Sequence, residues 1–344
     1  MHVFTAYSLA LSASDITKCE DFICLKYILS LSVWDVLNLA TWYSMYIRRT
    51  HIKSLLKVFA TLENQHGYNI SGYKSVINIL LGVLLLLCLA LFGTIIFLLL
   101  NDAVETQSWF MNLTFISNIS STFPVKVALA VVYITGTRIF RSVTPLLLTL
   151  FYVQCCLVLS HVIKETSEQL CILRSSEDKA HKIQNFIRHY NIAHGLVSLT
   201  ESALSLQVFW LMSSHFSVIF STISKILGFY EHNSVVYNTE NYSLTSLQNI
   251  SFFLIIYFAS KVNSEDVEMR EAVKNIAFQL SLVKEYKECS DLQLRFIQSK
   301  RELVLTAWGV FRFTRNFLFT SAGVLITYNL LILQLNTYHE NTIL

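Results

Sequence analysis

The chain has 344 residues, 53% of them hydrophobic and only 14% charged, with a mean hydropathy of +0.50. That balance is too apolar for an ordinary soluble domain and reads as a multi-pass membrane protein. The net charge of +3 is small, and in such a protein the placement of Lys and Arg says more than their sum.

Residues 3–12, VFTAYSLALS, are too short to cross a bilayer, which takes about 20 apolar residues. They read as the remnant of a span rather than as a signal-peptide core, which would carry a basic leader. Six runs are long enough: 22–46, 75–100, 142–163, 204–228, 244–260 and 316–338. The stretch 123–140, FPVKVALAVVYITGTRIF, is read as an outward extension of the next helix or an interfacial segment, with Lys126, Arg138 and Arg141 reaching headgroups. Counting it as a span would turn the most basic loop outward. Nine glycines and two prolines, Pro124 and Pro145, predict unbroken helices.

Alternate loops divide the basic residues. Segments 47–75, 164–203 and 261–315 hold five, five and ten, whereas 101–123 and 229–243 hold none. The basic loops are therefore cytoplasmic and the others face outward. The sequons at Asn112, Asn118 and Asn241 fall in the outward loops; Asn69 falls inside, as a chance match. In 181–203 the set Ile183, Phe186, Ile187, Tyr190 and Val197 has helical spacing, and Leu292, Phe296, Ile297, Leu303 and Val304 repeat it over 292–304. Helices thus continue below the membrane, either lying on the inner leaflet or packed as an assembly domain.

Seven cysteines form no CxxC pair, so neither a disulfide scaffold nor a metal site is expected, and buried reduced thiols are. The chain has no phosphate loop, HExxH, GxSxG or paired intramembrane carboxylates. No enzyme activity, cofactor or nucleic-acid partner is indicated.

The last run contains TYNLLILQL, residues 327–335. On a helix Thr320, Thr327, Leu331, Gln334 and Tyr338 fall in one narrow sector, and hydroxyls and amides facing lipid need partners. Two readings stand on the residues alone: hydrogen bonding between helices of a bundle, or a surface in contact with water. Asn329 and Asn336 form a second polar seam.

This stretch, with TAWGVFRFTRNFL at 306–318, resembles the C-terminal signature of insect gustatory receptors: Thr-Tyr, five hydrophobic residues, then Gln-Phe. Here Leu335 stands for the Phe and the polar Asn329 opens the five. YIRRTHIKSLLKVFATLENQ at 46–65 is similar to the basic stretch after that family's second span. The resemblance implies a seven-span all-α bundle with its N-terminus inside, so that 22–46 corresponds to the second span and the first is truncated or missing. It implies a tetrameric, ligand-gated, non-selective cation channel of chemosensory neurons, homomeric or heteromeric, in the plasma membrane. The last span would line the pore, with Gln334 at the narrowest ring and Leu331 and Leu335 closing it. Family members that sense sugars tend to carry Glu directly after Thr-Tyr, so Asn329 implies a non-sugar, bitter or other tastant. The organisation expected is a ligand-sensing bundle over 1–260, cytoplasmic assembly helices over 261–315, and the pore span with its outer tail over 316–344.

A ligand pocket is expected at the outer halves of the other spans, with Trp34, Asp35, His215, Phe216, Phe253 and Tyr257 as candidates. Asp35 stands out because a carboxylate within a span is costly; the plainer reading gives it a neighbouring Lys26 or His215 as partner. The alternative function is a G-protein-coupled receptor, although neither Asp-Arg-Tyr nor Asn-Pro-x-x-Tyr occurs. A tag inserted near Lys287 should resist protease added to intact cells, and cleavage from outside would overturn the orientation.

Overall fold

The structure is a computed structural model that describes residues 22–66, 78–79, 81–82, 86, 89, 93, 143–172, 179–226, 235–282 and 287–343. Among the described residues the chain is a bundle of seven helices and one small hairpin. The helices are α1 (Phe22–Ile47), α2 (Arg49–His66), α3 (Thr144–Ile172), α4 (Lys179–Ile226), α5 (Val235–Ser281), α6 (Lys287–Ser299) and α7 (Arg315–Ile343). The hairpin, β1 (Thr306–Ala307) and β2 (Phe311–Arg312), is antiparallel, with Thr306 opposite Arg312 and Ala307 opposite Phe311.

α4 has 48 residues and α5 has 47, about 70 Å each at 1.5 Å per residue. That is far more than a bilayer needs, so each is a rod that runs on well past the length of a span. The apolar set predicted at 181–203 belongs to α4 itself, with Ile183, Phe186, Tyr190 and Val197 buried, and it packs against protein rather than lying on the leaflet. Two helices, over Thr144–Gln169 and His181–Thr222, are long and apolar enough to cross a membrane among the described residues. The run at 75–100 falls largely outside the described residues, and 3–12, 123–140, Asn69, Asn112 and Asn118 fall wholly outside them. Asn241 lies within α5, which begins at Val235, so this helix starts inside the segment read as an outer loop.

One continuous core joins the two levels. Leu159, Val162 and Ile163 of α3 meet Leu204, Val208 and Leu211 of α4 and Ile255, Ala259 and Val262 of α5. Lower down, Phe186, Met269, Val273, Ile297, Leu303 and Leu305 belong to the same cluster. Cys155 and Cys156 are buried free thiols within it, as expected of small apolar residues.

The lower end of the bundle is organised around an ion pair inside that core. Asp266 is fully buried, and Arg270, one turn on, donates Nε–H to its Oδ2 at 2.7 Å. Asp266 also accepts from the Tyr190 hydroxyl at 3.1 Å and the Leu303 amide at 2.9 Å. Arg270 donates onward to the carbonyls of Ile297 (3.0 Å), Lys300 (3.1 Å) and Arg301 (2.6 Å), and to the Tyr190 oxygen at 2.6 Å. Burial, and next the Asp266 charge, push the Tyr190 phenol well above its ordinary pKa, so it stays a donor.

This network corrects the helical reading of 292–304. α6 stops at Ser299 and the chain runs extended from 301 to 305, which leaves Leu292 exposed and carries Leu303 and Leu305 into the core. The reason is electrostatic: the orphan carbonyls at a helix C-terminus attract a cation, and Arg270 takes them. Arg270→Met should strand those carbonyls and leave Asp266 buried without its cation, at a cost of about 3–5 kcal/mol. The expected readout is a clear fall in the thermal midpoint of the solubilised protein, together with faster amide exchange over 297–303. An unchanged midpoint would show that the pair is not structural.

Candidate functional site

Three features lie in series: a polar seam between α1 and α4, the hairpin below it, and the helix that follows the hairpin. The seam is antiparallel. Trp34 packs on Val218; one turn down, the Ser214 hydroxyl donates to Asn38 Oδ1 at 3.0 Å. Lower still, the Gln207 amide donates to the Ser44 carbonyl at 3.2 Å, and Arg48 Nη1 donates to the Ser202 carbonyl. Asp35, Asn38, Ser44, Gln207, Ser214 and His215 are all buried. The bonds from Ser214, Gln207 and Arg48 lock two helices in register, while Asn38 Nδ2 and Gln207 Oε1 are buried without a hydrogen-bond partner among the described residues.

His215 turns from this seam toward α5, where Gln248 is its polar neighbour. Beside it, Thr222 and Thr245 share a 2.8 Å hydrogen bond between α4 and α5, and Phe216 meets Phe252 edge-on at 5.0 Å. Trp34 and Asp35 of α1 thus lie at the upper end of the α1–α4 seam, whereas His215 and Phe216 of α4 are turned to α5. Phe253 and Tyr257 it places elsewhere: they are 47% and 61% exposed on the outer face of α5, opposite its buried Phe252, Ile255 and Ile256.

The hairpin hangs from the residue before Ser202. Glu201 Oε1 accepts from the Thr306 amide at 2.8 Å and also from the Thr306 hydroxyl. Burial raises the Glu201 carboxyl pKa, and the two Thr306 donors act against that rise. At the hairpin tip Trp308 and Gly309 take φ values of 53° and 72°. Gly accepts the left-handed region freely, whereas Trp adopts it only when its surroundings impose it. What imposes it is the tight hairpin turn, closed by the Val310 amide donating to the Ala307 carbonyl at 3.0 Å, which needs positive φ at both central residues. The Trp308 ring lies 5.3 Å from Phe209 of α4, and Phe311 stacks on Phe209 at 5.9 Å and meets Phe317 of α7 at 5.5 Å. The hairpin is therefore pinned to α4 by a carboxylate and an aromatic cluster, and it sets where α7 begins.

α7 docks on the rest of the chain along a narrow seam. Phe317, Leu318 and Leu325 pack against the core and Ser321 is buried, while Phe319, Val324, Ile326, Tyr328 and Leu330 are exposed. Thr320, Thr327, Leu331 and Gln334 are also exposed, and the Thr320 hydroxyl donates back to its own helix at Asn316 O, 3.0 Å. At 100° per residue the stripe lies about 120° from the docking seam. The side chains of Asn329, Leu335, Asn336 and Tyr338 lie outside the described residues. Among the described residues no cluster of His, Cys, Asp or Glu is built to hold a metal ion.

Asn38, Glu201, Gln207, Ser214 and Thr306 were not singled out by sequence reasoning. The discernible signal was a polar residue at every third position of an otherwise apolar run: each of Asp35, Asn38, Thr41 and Ser44 neighbours the next on the helix surface.

No protein-family model and no curated protein matches the sequence. Among solved structures, the insect olfactory receptor OR5 from Machilis hrabei, in complex with eugenol, is similar with a TM-score of 0.61 at 14% identity, over 97% of this chain and 88% of that one. A second structure of that receptor gives 0.59 at 14% identity, over 97% and 87%. The chain is an all-α membrane helix bundle with the fold of an insect olfactory receptor.

Glu201→Ala removes both Thr306 acceptor contacts, each worth about 1–3 kcal/mol. Amide exchange over 306–312 should quicken by about tenfold or more, with the α3–α5 core unchanged. Equal exchange in the two proteins would remove Glu201 as the anchor.

Proposed function

We propose that the chain is one subunit of a tetrameric, ligand-gated, non-selective cation channel in the plasma membrane of chemosensory neurons, a gustatory receptor for a non-sugar tastant. The observation that carries this reading is α7. A terminal helix that buries one seam and exposes a face of Thr327, Leu331 and Gln334 has a polar stripe that its own subunit leaves unused, and four such stripes around an axis make a water-filled path. The resemblance of 327–335 to the gustatory receptor signature and the fold of the olfactory receptor OR5 from Machilis hrabei support the same reading. Its ring of Gln334 amides supplies dipoles at the constriction, and Leu331 and Leu335 exclude water in the closed state.

The ligand site in this reading is the junction around Trp34, Asp35 and His215, which is apolar and aromatic with a few fixed polar groups. Phe253 and Tyr257, on the outer face of α5, face a neighbouring subunit or lipid instead. Coupling follows the chain: α4 carries His215 at the ligand level and Glu201 four turns below, and Glu201 holds the hairpin that starts α7. A shift or rotation of α4 on ligand binding therefore moves the root of the pore helix. The partners are a small tastant, the bilayer and three further copies or related subunits.

Gln334→Ala should change permeability or gating while leaving surface expression nearly intact, because water faces the amide. Normal conductance and selectivity in a well-expressed, current-carrying variant would take Gln334 out of the pore. The wild-type current should persist in cells without G-protein signalling and should not be evoked by sucrose or fructose; dependence on G protein would favour the metabotropic alternative.

A further inference from the structure

A row of five exposed side chains crosses the junction of α1 and α2: Tyr43, Tyr46, Arg49, Lys53 and Lys57. Only Arg48 separates the two helices, and the backbone bonds Arg48 N to Ser44 O and Ile52 N to Arg48 O, both 3.0 Å, carry the helical path through it. The spacing of 3, 3, 4 and 4 residues therefore keeps all five on one face, in a sector about 120° wide. The opposite face of α2 holds the buried Leu55 and Leu62, and Ile52, Val58 and Phe59 pack on the core there. Arg48 reaches inward to Ser202.

The three outward cations have no ion-pair partner among the described residues; Arg49 stacks 4.9 Å over the Tyr46 ring. Along the helix they span about 12 Å, starting two residues below a span. The division of basic residues between loops places them on the cytoplasmic side. Amphipathic aromatics at the end of a span, followed at once by cations on the same face, match the layering of a leaflet: acyl boundary first, then phosphate.

We infer that this stripe is a binding site for anionic phospholipid headgroups of the cytoplasmic leaflet, with Arg49, Lys53 and Lys57 meeting the phosphates and Tyr43 and Tyr46 seated at the acyl boundary. Charge complementarity selects the occupant: three uncompensated cations on a solvent-facing helix suit a polyanionic surface and disfavour a second basic stripe from an identical chain. The inference rests on the orientation of the chain and not on its being a channel. Because α1 carries the polar seam on its other face, a bound lipid holds the helix that lines the candidate ligand junction.

The test uses the full chain purified in neutral-detergent micelles with phosphatidylcholine and titrated with fluorescent phosphatidylinositol bisphosphate, read by anisotropy. Saturable binding is expected, weakened by added salt. Neutralising one cation should weaken it about fivefold, so R49Q/K53Q/K57Q should weaken it on the order of a hundredfold; K53R/K57R should match the wild type. Soluble inositol trisphosphate at equimolar concentration should not compete. Equal affinity of the neutralised variant at an unchanged elution volume would overturn the site. So would full displacement by the soluble headgroup, which would make it a free-anion site, or loss of the oligomer in the neutralised variant with lipid affinity retained, which would make the stripe a contact between copies. K53E alone, at an exposed position, supplies the same readout if the triple variant fails to fold.

Discussion

The lower end of the bundle is tied together by one buried charge pair. Asp266 and Arg270 lie a turn apart on α5, inside a core where an unpaired charge is prohibitively costly, so each must be fully occupied. Asp266 collects donors from α4, α5 and the chain after α6, and Arg270 collects carbonyls from the end of α6. The pair thereby makes three segments mutually dependent. A hydrophobic substitute of similar bulk could fill the space, but it would not tell the chain where α6 must stop.

That stopping point determines the geometry above it. Once α6 ends at Ser299, the extended segment carries Leu303 and Leu305 into the core and delivers Thr306 to Glu201. The hairpin turns at Trp308 and Gly309, both at positive φ in a turn closed from Val310 to Ala307, and α7 departs with Phe317 against Phe311. α4 takes part at every level: Tyr190 at the charge pair, Glu201 at the hairpin, Gln207 and Ser214 at the seam, His215 at the junction. It is a single helix of 48 residues with four attachments.

The sequence showed the rods, because hydropathy is summed over many residues and tolerates local error. It also marked the stripe on α7, since Thr327 and Gln334 contrast with apolar neighbours. It did not show the hairpin or the end of α6. Leu303 and Val304 continue a helical period by accident of spacing, and what breaks the helix is an arginine some 30 residues earlier, invisible to any local window. The ligand candidates divided for a similar reason. Trp34, Asp35 and His215 lie on faces that helix packing turns inward, whereas Phe253 and Tyr257 are aromatic but on the outer face of α5, and aromatic character alone does not distinguish the two. Asp266 and Arg270 were legible in principle: they fall on the buried row with Val262, Met269 and Val273, where a charge has no reason to be unless it is paired.

Many of the bonds that fix this architecture end on main-chain atoms. Arg270 reads the carbonyls at 297, 300 and 301, Arg48 that of Ser202, Gln207 that of Ser44, and Glu201 receives the amide of Thr306. A main-chain atom is the same whatever side chain it carries. Half of each such contact is therefore immune to substitution, and the positions that supply it are free to drift. A scaffold whose fastenings specify one residue of each pair and leave the other open constrains its sequence at few positions for the number of contacts it makes.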